Sequence, residues 1–142
     1  MKSITLHNNF TKELPGDENT SNARRQVYKA SYSSAEPLSP SKPKMIISSK
    51  DLGKSLGLNN MASEEFLHLM TGKKIVAKSS PYAMCYGGHQ FGHWAGQLGD
   101  GRAINLGEIK HDGKSWVLQL KGAGPTPYSR GADGLAVLRS SV

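Results

Sequence analysis

Glycine crowding in the second half of the chain is the feature that most limits its fold. Twelve of the 16 glycines lie between Gly87 and Gly134, at positions 87, 88, 92, 96, 99, 101, 107, 113, 122, 124, 131 and 134. Glycine at that density disfavours helix and permits tight turns and close approach of backbone to a ligand. Aromatic residues are interleaved with it, which sets the stretch apart from a flexible linker. Inside it sits the clearest local signal, Asp112-Gly113 between the strand-like runs 102–110 and 115–121. Asp-Gly suits a two-residue hairpin turn because both central residues need positive φ. Alternation in the second run puts Trp116, Leu118 and Leu120 on one face, predicted to be the core face, and Val117, Gln119 and Lys121 on the other. Lys121 therefore closes a strand on the face away from the core, where an ammonium group can stand in a cleft.

The first 45 residues carry Pro15, Pro37, Pro40 and Pro43, the Ser-rich run 31–34, and no sustained period. They are expected to form an extended arm, packed on a folded body or disordered, with one short strand over 26–31 built on Val27 and Tyr28. Tyr28 and Tyr32 favour packing. Order is predicted from Lys44 onward, beginning with Met45-Ile46-Ile47 as a short buried strand. Ser48 or Ser49 then caps a helix over 50–58, with Leu52 and Leu56 one turn apart. A second helix starts at Ser63, with Glu64 and Glu65 at the positive end of its dipole and Phe66, Leu67 and Met70 on its apolar side. Gly72 is placed to end it, and Ile75-Val76-Ala77 reads as a further strand. The predicted division is an arm over 1–45 and a folded unit over 46–142.

A length of 142 residues suits one domain, and the formal charge is +7. The basic excess is spread evenly, nine basic and five acidic groups in residues 1–60 against nine and six in 61–142. No polybasic tail or arm of the kind that binds nucleic acid is present. No run approaches the ~18 apolar residues of a membrane span. The first residues lack an apolar signal core, and Glu13, Asp17 and Glu18 do not suit a transit peptide, so a cytoplasmic location is expected. Cys85 stands alone, which forbids an intrachain disulfide.

Two phosphate motifs fail on inspection. Between Gly107 and Gly113 lie five residues where a P-loop has four, and Lys114 follows a hairpin turn instead of opening a helix. The dinucleotide glycine pattern breaks at Ile104 and again at Pro127. What remains is a turn, Gly99-Asp100-Gly101-Arg102, feeding a hairpin whose return strand ends in Lys121. That layout is similar to kinases, in which a glycine-rich loop covers phosphates and a strand lysine pairs with them. Open backbone N–H groups at the glycines and a bidentate Arg102 would suit polyphosphate. The plainer account is an ordinary hairpin with a solvated Arg and Lys, and pattern alone leaves both open. His89 and His93 have helical spacing, but the surrounding glycines oppose a helix and no acidic residue completes a zinc motif, so a structural role is expected. Cys85 and Trp94 read as core residues, and Lys73, Lys74 and Lys78 as a solvated patch.

Residues 81–108 (PYAMCYGGHQFGHWAGQLGDGRAINLGE) and 118–141 (LQLKGAGPTPYSRGADGLAVLRSS) closely resemble the selenoprotein O family, as do the earlier FTKELP and RRQVY segments. The resemblance implies an α+β chain holding part of a kinase-like N-lobe. It implies transfer of AMP from ATP to Ser, Thr or Tyr hydroxyls of proteins, with Mg²⁺ or Mn²⁺. Matched position by position, Gly99, Gly101, Arg102, Lys121, Asp133 and Gly134 correspond to nucleotide-contacting residues. Leu135 departs from the arginine that many members carry. The general base, the metal ligands and the partner glutamate of the strand lysine are expected beyond residue 142, so no catalytic or metal-binding residue is assigned within this chain. The partners expected are ATP and hydroxyl-bearing proteins, with neither nucleic acid nor membrane. The alternative expectation is a non-catalytic chain that binds nucleotide weakly or does not fold.

Overall fold

The computed structural model describes residues 4–74, 76 and 79–136. In order, these form α1 (Asn9–Glu13), β1 (Tyr32–Ser34), α2 (Lys50–Ser55), α3 (Glu64–Met70), β2 (Tyr82–Met84), β3 (Gly87–Gln90), β4 (His93–Gln97), β5 (Ala103–His111) and β6 (Lys114–Lys121). One antiparallel sheet has the order β1-β2-β5-β6, and β3-β4 make a separate two-stranded sheet. Short helices packed beside antiparallel strands make the chain α+β.

The long hairpin forms where Asp112-Gly113 predicts it. Both turn residues have positive φ, 47° and 72°, as a primed two-residue turn requires. Ladder pairs run from His111↔Lys114 to Ala103↔Lys121, with a bulge between Asn105 and Gly107. At the bulge Gly107 has φ 135°, and an added Cβ would lie 2.8 Å from the Asn8 Oδ1 and 2.9 Å from the His7 carbonyl oxygen. The missing side chain lets His7 pair with Glu108 through two backbone bonds of 2.9 and 2.7 Å. β5 is thus flanked by β2 near its start and by the N-terminal segment farther along.

Two apolar clusters fill the interior. One joins Leu6, Leu69, Leu106, Ile109 and Leu120, and the other joins Val27, Ala35, Ala83, Ile104 and Tyr128. Residues before position 45 therefore supply β1 and part of both clusters. They also supply Phe10, whose ring stacks on Tyr82 at 5.1 Å, with Tyr32 edge-on to both.

Ser63 caps α3 by accepting from the Phe66 N–H at 3.1 Å, and Ser49 caps α2 by accepting from Leu52 at 3.2 Å. Gly72 follows α3 with φ 71°, pressed against the Pro37 ring where a Cβ would come within 2.6 Å. Ser63→Ala is expected to cost about 1 kcal/mol, the usual worth of a lost N-cap, read from the urea midpoint. Unchanged stability would mean the cap is dispensable.

Several expectations are corrected. Met45, Ile46 and Ile47 form no strand, and Ile46 and Ile47 are 90% and 86% exposed. An apolar triplet has strand propensity, but a strand also needs a partner, and β2 is paired with β1 and β5 and not with this triplet. The predicted strand over 26–31 is displaced to β1, since Lys29 at φ 54° breaks the extended run. Tyr28 is exposed, while Val27 enters the core. In α3 the buried pair is Phe66 and Leu69, with Leu67 and Met70 only half-buried. Burial rises along β6 toward its end, from exposed Trp116 through Leu118 to buried Leu120, because the hairpin tip projects past the core. Trp94 is exposed, since the β3-β4 sheet stands apart, and it packs edge-on against His89 at 5.1 Å. Of the predicted strand at 75–77 and the lysine patch, Ile75, Ala77 and Lys78 lie outside the described residues.

Candidate nucleotide cleft

The Gly99-Asp100-Gly101 turn is pressed onto the segment around Tyr128. At Gly99, φ is 134°, and a Cβ would stand 2.5 Å from the Tyr128 ring and 2.7 Å from the Met84 carbonyl oxygen. At Gly101 the nearest obstacle to a Cβ is the Tyr128 carbonyl oxygen at 2.9 Å. Only glycine fits at Gly99 without displacing backbone. Asp100 turns its carboxylate inward, where Oδ2 accepts from the Met84 N–H and the Asn105 side-chain amide, each at 3.0 Å. The Thr126 hydroxyl donates to the Asp100 carbonyl at 2.6 Å, and the Ser129 hydroxyl donates to the Gly101 carbonyl. The Asp100 side chain and the Asp100 and Gly101 carbonyls are thus committed to the protein.

Tyr128 sits at the junction. Its ring lies beneath Gly99, and its hydroxyl shares a 2.8 Å hydrogen bond with the Ser33 hydroxyl. Burial pushes the Tyr128 hydroxyl up to about 12, opposed by the Ser33 bond and assisted by Cys85. It stays protonated at neutral pH. Ser33 donates in turn to Asp17, which is ion-paired with Arg25, so the N-terminal segment braces the turn from behind. Burial likewise pushes the Cys85 thiol up, consistent with a half-buried packing residue.

A second loop closes the other wall. Gly134 has φ 75°, and a Cβ there would lie 2.1 Å from the Gly124 carbonyl oxygen. The Gly124 N–H donates to the Gly134 carbonyl at 3.1 Å, and Ala123 bridges to Leu135. Asp133 accepts from the Leu135 N–H through Oδ1 at 2.9 Å. Between the two walls is a cleft of about 400 Å³. Gly99, Gly101, Arg102, Asp133 and Gly134 all line it, together with Tyr86, Gln90 and Arg130. Five of the six residues singled out in the sequence therefore converge. Lys121 is not among the lining residues: it is exposed at the end of β6, opposite Ala103, and the next residue, Gly122, donates to the Arg102 carbonyl at 2.6 Å.

The bracing residues Asp100, Thr126, Tyr128 and Ser129 escaped the sequence reading. An Asp between two glycines and a hydroxyl-rich Thr-Pro-Tyr-Ser run were the available signals. A second cavity of about 240 Å³, lined by Ile4, Leu58 and Phe66 beside α3, has Glu65 as its one charged wall residue and suits no anion. Among the described residues, no three His, Cys, Asp or Glu side chains converge as metal ligands. No helix among them is long and apolar enough to cross a membrane.

The model for the family described as protein adenylyltransferase SelO matches residues 18–142. The chain belongs to that family. Among its relatives, the SelO-family chain is 54% identical over 144 residues to the protein nucleotidyltransferase YdiU of Flavobacterium johnsoniae, covering 100% of this chain and 28% of that protein. Identity to the protein of the same name from Rhodopirellula baltica is also 54%, over 98% of this chain and 26% of the relative. The SelO-family sequence thus spans about a quarter of the length of these curated relatives.

Proposed function

We infer that this chain carries the ATP-holding part of a protein adenylyltransferase. In the whole enzyme, a Ser, Thr or Tyr hydroxyl of a protein substrate attacks the α-phosphorus of ATP and releases pyrophosphate. One observation carries the inference: the Gly99–Arg102 turn and the Asp133-Gly134 loop, far apart in sequence, form the two walls of one cleft. Glycines hold the two walls tight against Tyr128 and the Gly124 backbone, and Arg102 supplies a planar fork of donors for phosphate oxygens. Lys121 starts from the same end of the hairpin as Arg102 and is assigned the outer phosphates. The sheet order β1-β2-β5-β6, with a glycine turn entering β5 and a lysine closing β6, supports a kinase-like N-lobe. Mg²⁺ or Mn²⁺ would supply charge neutralisation on the phosphates. Its ligands are assigned to the remaining length of the longer relatives.

Titration calorimetry with ATP tests the assignment. The chain is expected to bind ATP without transferring AMP to protein, and Arg102→Ala to weaken binding roughly tenfold to a hundredfold, the worth of a charge-assisted hydrogen bond. An unaltered affinity in that variant rules out the phosphate role of Arg102. Label transfer from α-labelled ATP by this chain alone overturns the assignment of the base and metal ligands elsewhere.

A further inference from the structure

The geometry points to Arg130 as a second phosphate-binding cation of the cleft, held ready by Gln90 across the opening. This rests on the ATP-binding assignment above and adds a residue to it. Arg130 lines the same cleft as Arg102, from a segment 28 residues further along the chain. Its guanidinium Nη1 donates to the Gln90 Oε1 at 2.9 Å, a contact that crosses 40 residues of sequence and ties the loop to β3. A neutral amide orients the guanidinium without cancelling its charge. Among the described residues, neither Arg130 nor Arg102 is paired with a carboxylate, although Arg25 pairs with Asp17 and Lys74 with Glu65. Asp133, three residues on, spends Oδ1 on the Leu135 backbone. Two guanidinium groups without a carboxylate partner, against the one carboxylate of Asp133, leave the lining of this cavity net positive, which suits a ligand with several negative charges.

The backbone adds an independent reason. Arg130 has φ 54°, the left-handed region that an L side chain enters at a steric cost, although Gly131 is the next residue. Strain of this kind is found where surrounding contacts enforce a functional orientation. Here it accompanies the exposed Arg130 side chain that reaches Gln90 at the cleft. The ligand chemistry this suits is a nucleoside triphosphate, with Arg102 and Arg130 on different phosphate oxygens.

Arg130→Gly separates binding from folding, because glycine accepts φ 54° without strain while removing the cation. The experiment measures binding of ATP and of inorganic tripolyphosphate to the 142-residue chain and to its Arg130→Gly, Arg130→Lys and Arg102→Ala variants, with a thermal melt of each. The expected result is an undiminished melt for Arg130→Gly and affinity for both ligands roughly tenfold weaker or more, as for one lost charge-assisted bond. Arg130→Lys is expected to recover part of the loss, a point charge replacing a fork. Wild-type affinity in Arg130→Gly overturns the role of Arg130, and if Arg102→Ala still weakens binding the ATP assignment stands. Absence of ATP binding in the wild-type chain removes both.

Discussion

Gly99→Ala is expected to lower stability by about 3 kcal/mol, combining left-handed strain with overpacking, and to abolish measurable ATP binding. The added methyl would meet the Tyr128 ring on one side and the Met84 carbonyl on the other. Neither neighbour can retreat cheaply. The Met84 carbonyl accepts from the Asp100 N–H at 2.9 Å, and Tyr128 is 5% exposed and bonded through its hydroxyl to Ser33. The strain therefore falls on the turn itself, which forms one wall of the cleft. For a chain of this size the melting temperature should fall by roughly 10 °C. Gly101→Ala is the internal comparison: its φ is not in the positive region, and its nearest obstacles are the Tyr128 carbonyl oxygen at 2.9 Å and the Ser129 Cα at 3.3 Å, both farther than the two nearest at Gly99, so the effect should be smaller. Equal melts for wild type and Gly99→Ala would mean that the turn does not press on Tyr128 as described.

Tyr82→Ala should be more damaging still, at about 3–5 kcal/mol by comparison with other large aromatic truncations. That is a large part of the ~5–15 kcal/mol that holds a typical domain together. Tyr82 is 2% exposed, lies in β2 between β1 and β5, and stacks on Phe10 with an interplanar angle of 9°. Its loss would free both Phe10 and Tyr32, and with them the N-terminal segment that braces the cleft from behind. Tyr82→Phe keeps the ring and should melt near wild type. A double-mutant cycle between Phe10→Ala and Tyr82→Ala should show about 0.5–1.5 kcal/mol of coupling, as aromatic pairs do. Additive effects would mean the two rings contribute independently.

Local signals were legible wherever one short segment decides its own conformation. The Asp112-Gly113 turn, the Ser49 and Ser63 caps and the glycine after α3 all appear where the residue chemistry places them. Each depends on φ preference or on a side chain reaching its own backbone within three residues. Met45-Ile46-Ile47 failed for the opposite reason: a strand exists only if another strand offers an edge, and no local rule can see that edge. Trp94 failed likewise, because its burial depended on whether β3-β4 would join the larger sheet. The cleft stands between these cases. Its glycines and Arg102 drew notice for what they are, whereas Arg130, Tyr128 and Asp100 matter only for what they touch.

By itself, then, the sequence determined the hairpin, the helix starts, the glycine-lined turn and, through extended motifs, the family. Tertiary structure decided that residues before position 45 enter the core through Leu6, Val27 and Ala35. It also decided that Gly99 and Gly134 face one cavity, and that Lys121 remains outside that cavity's wall. The physical reason is range. Turn and cap preferences are written in φ angles and hydrogen bonds a few residues long. Facing positions in a cleft are set by which strands share an edge and which side chains meet across it.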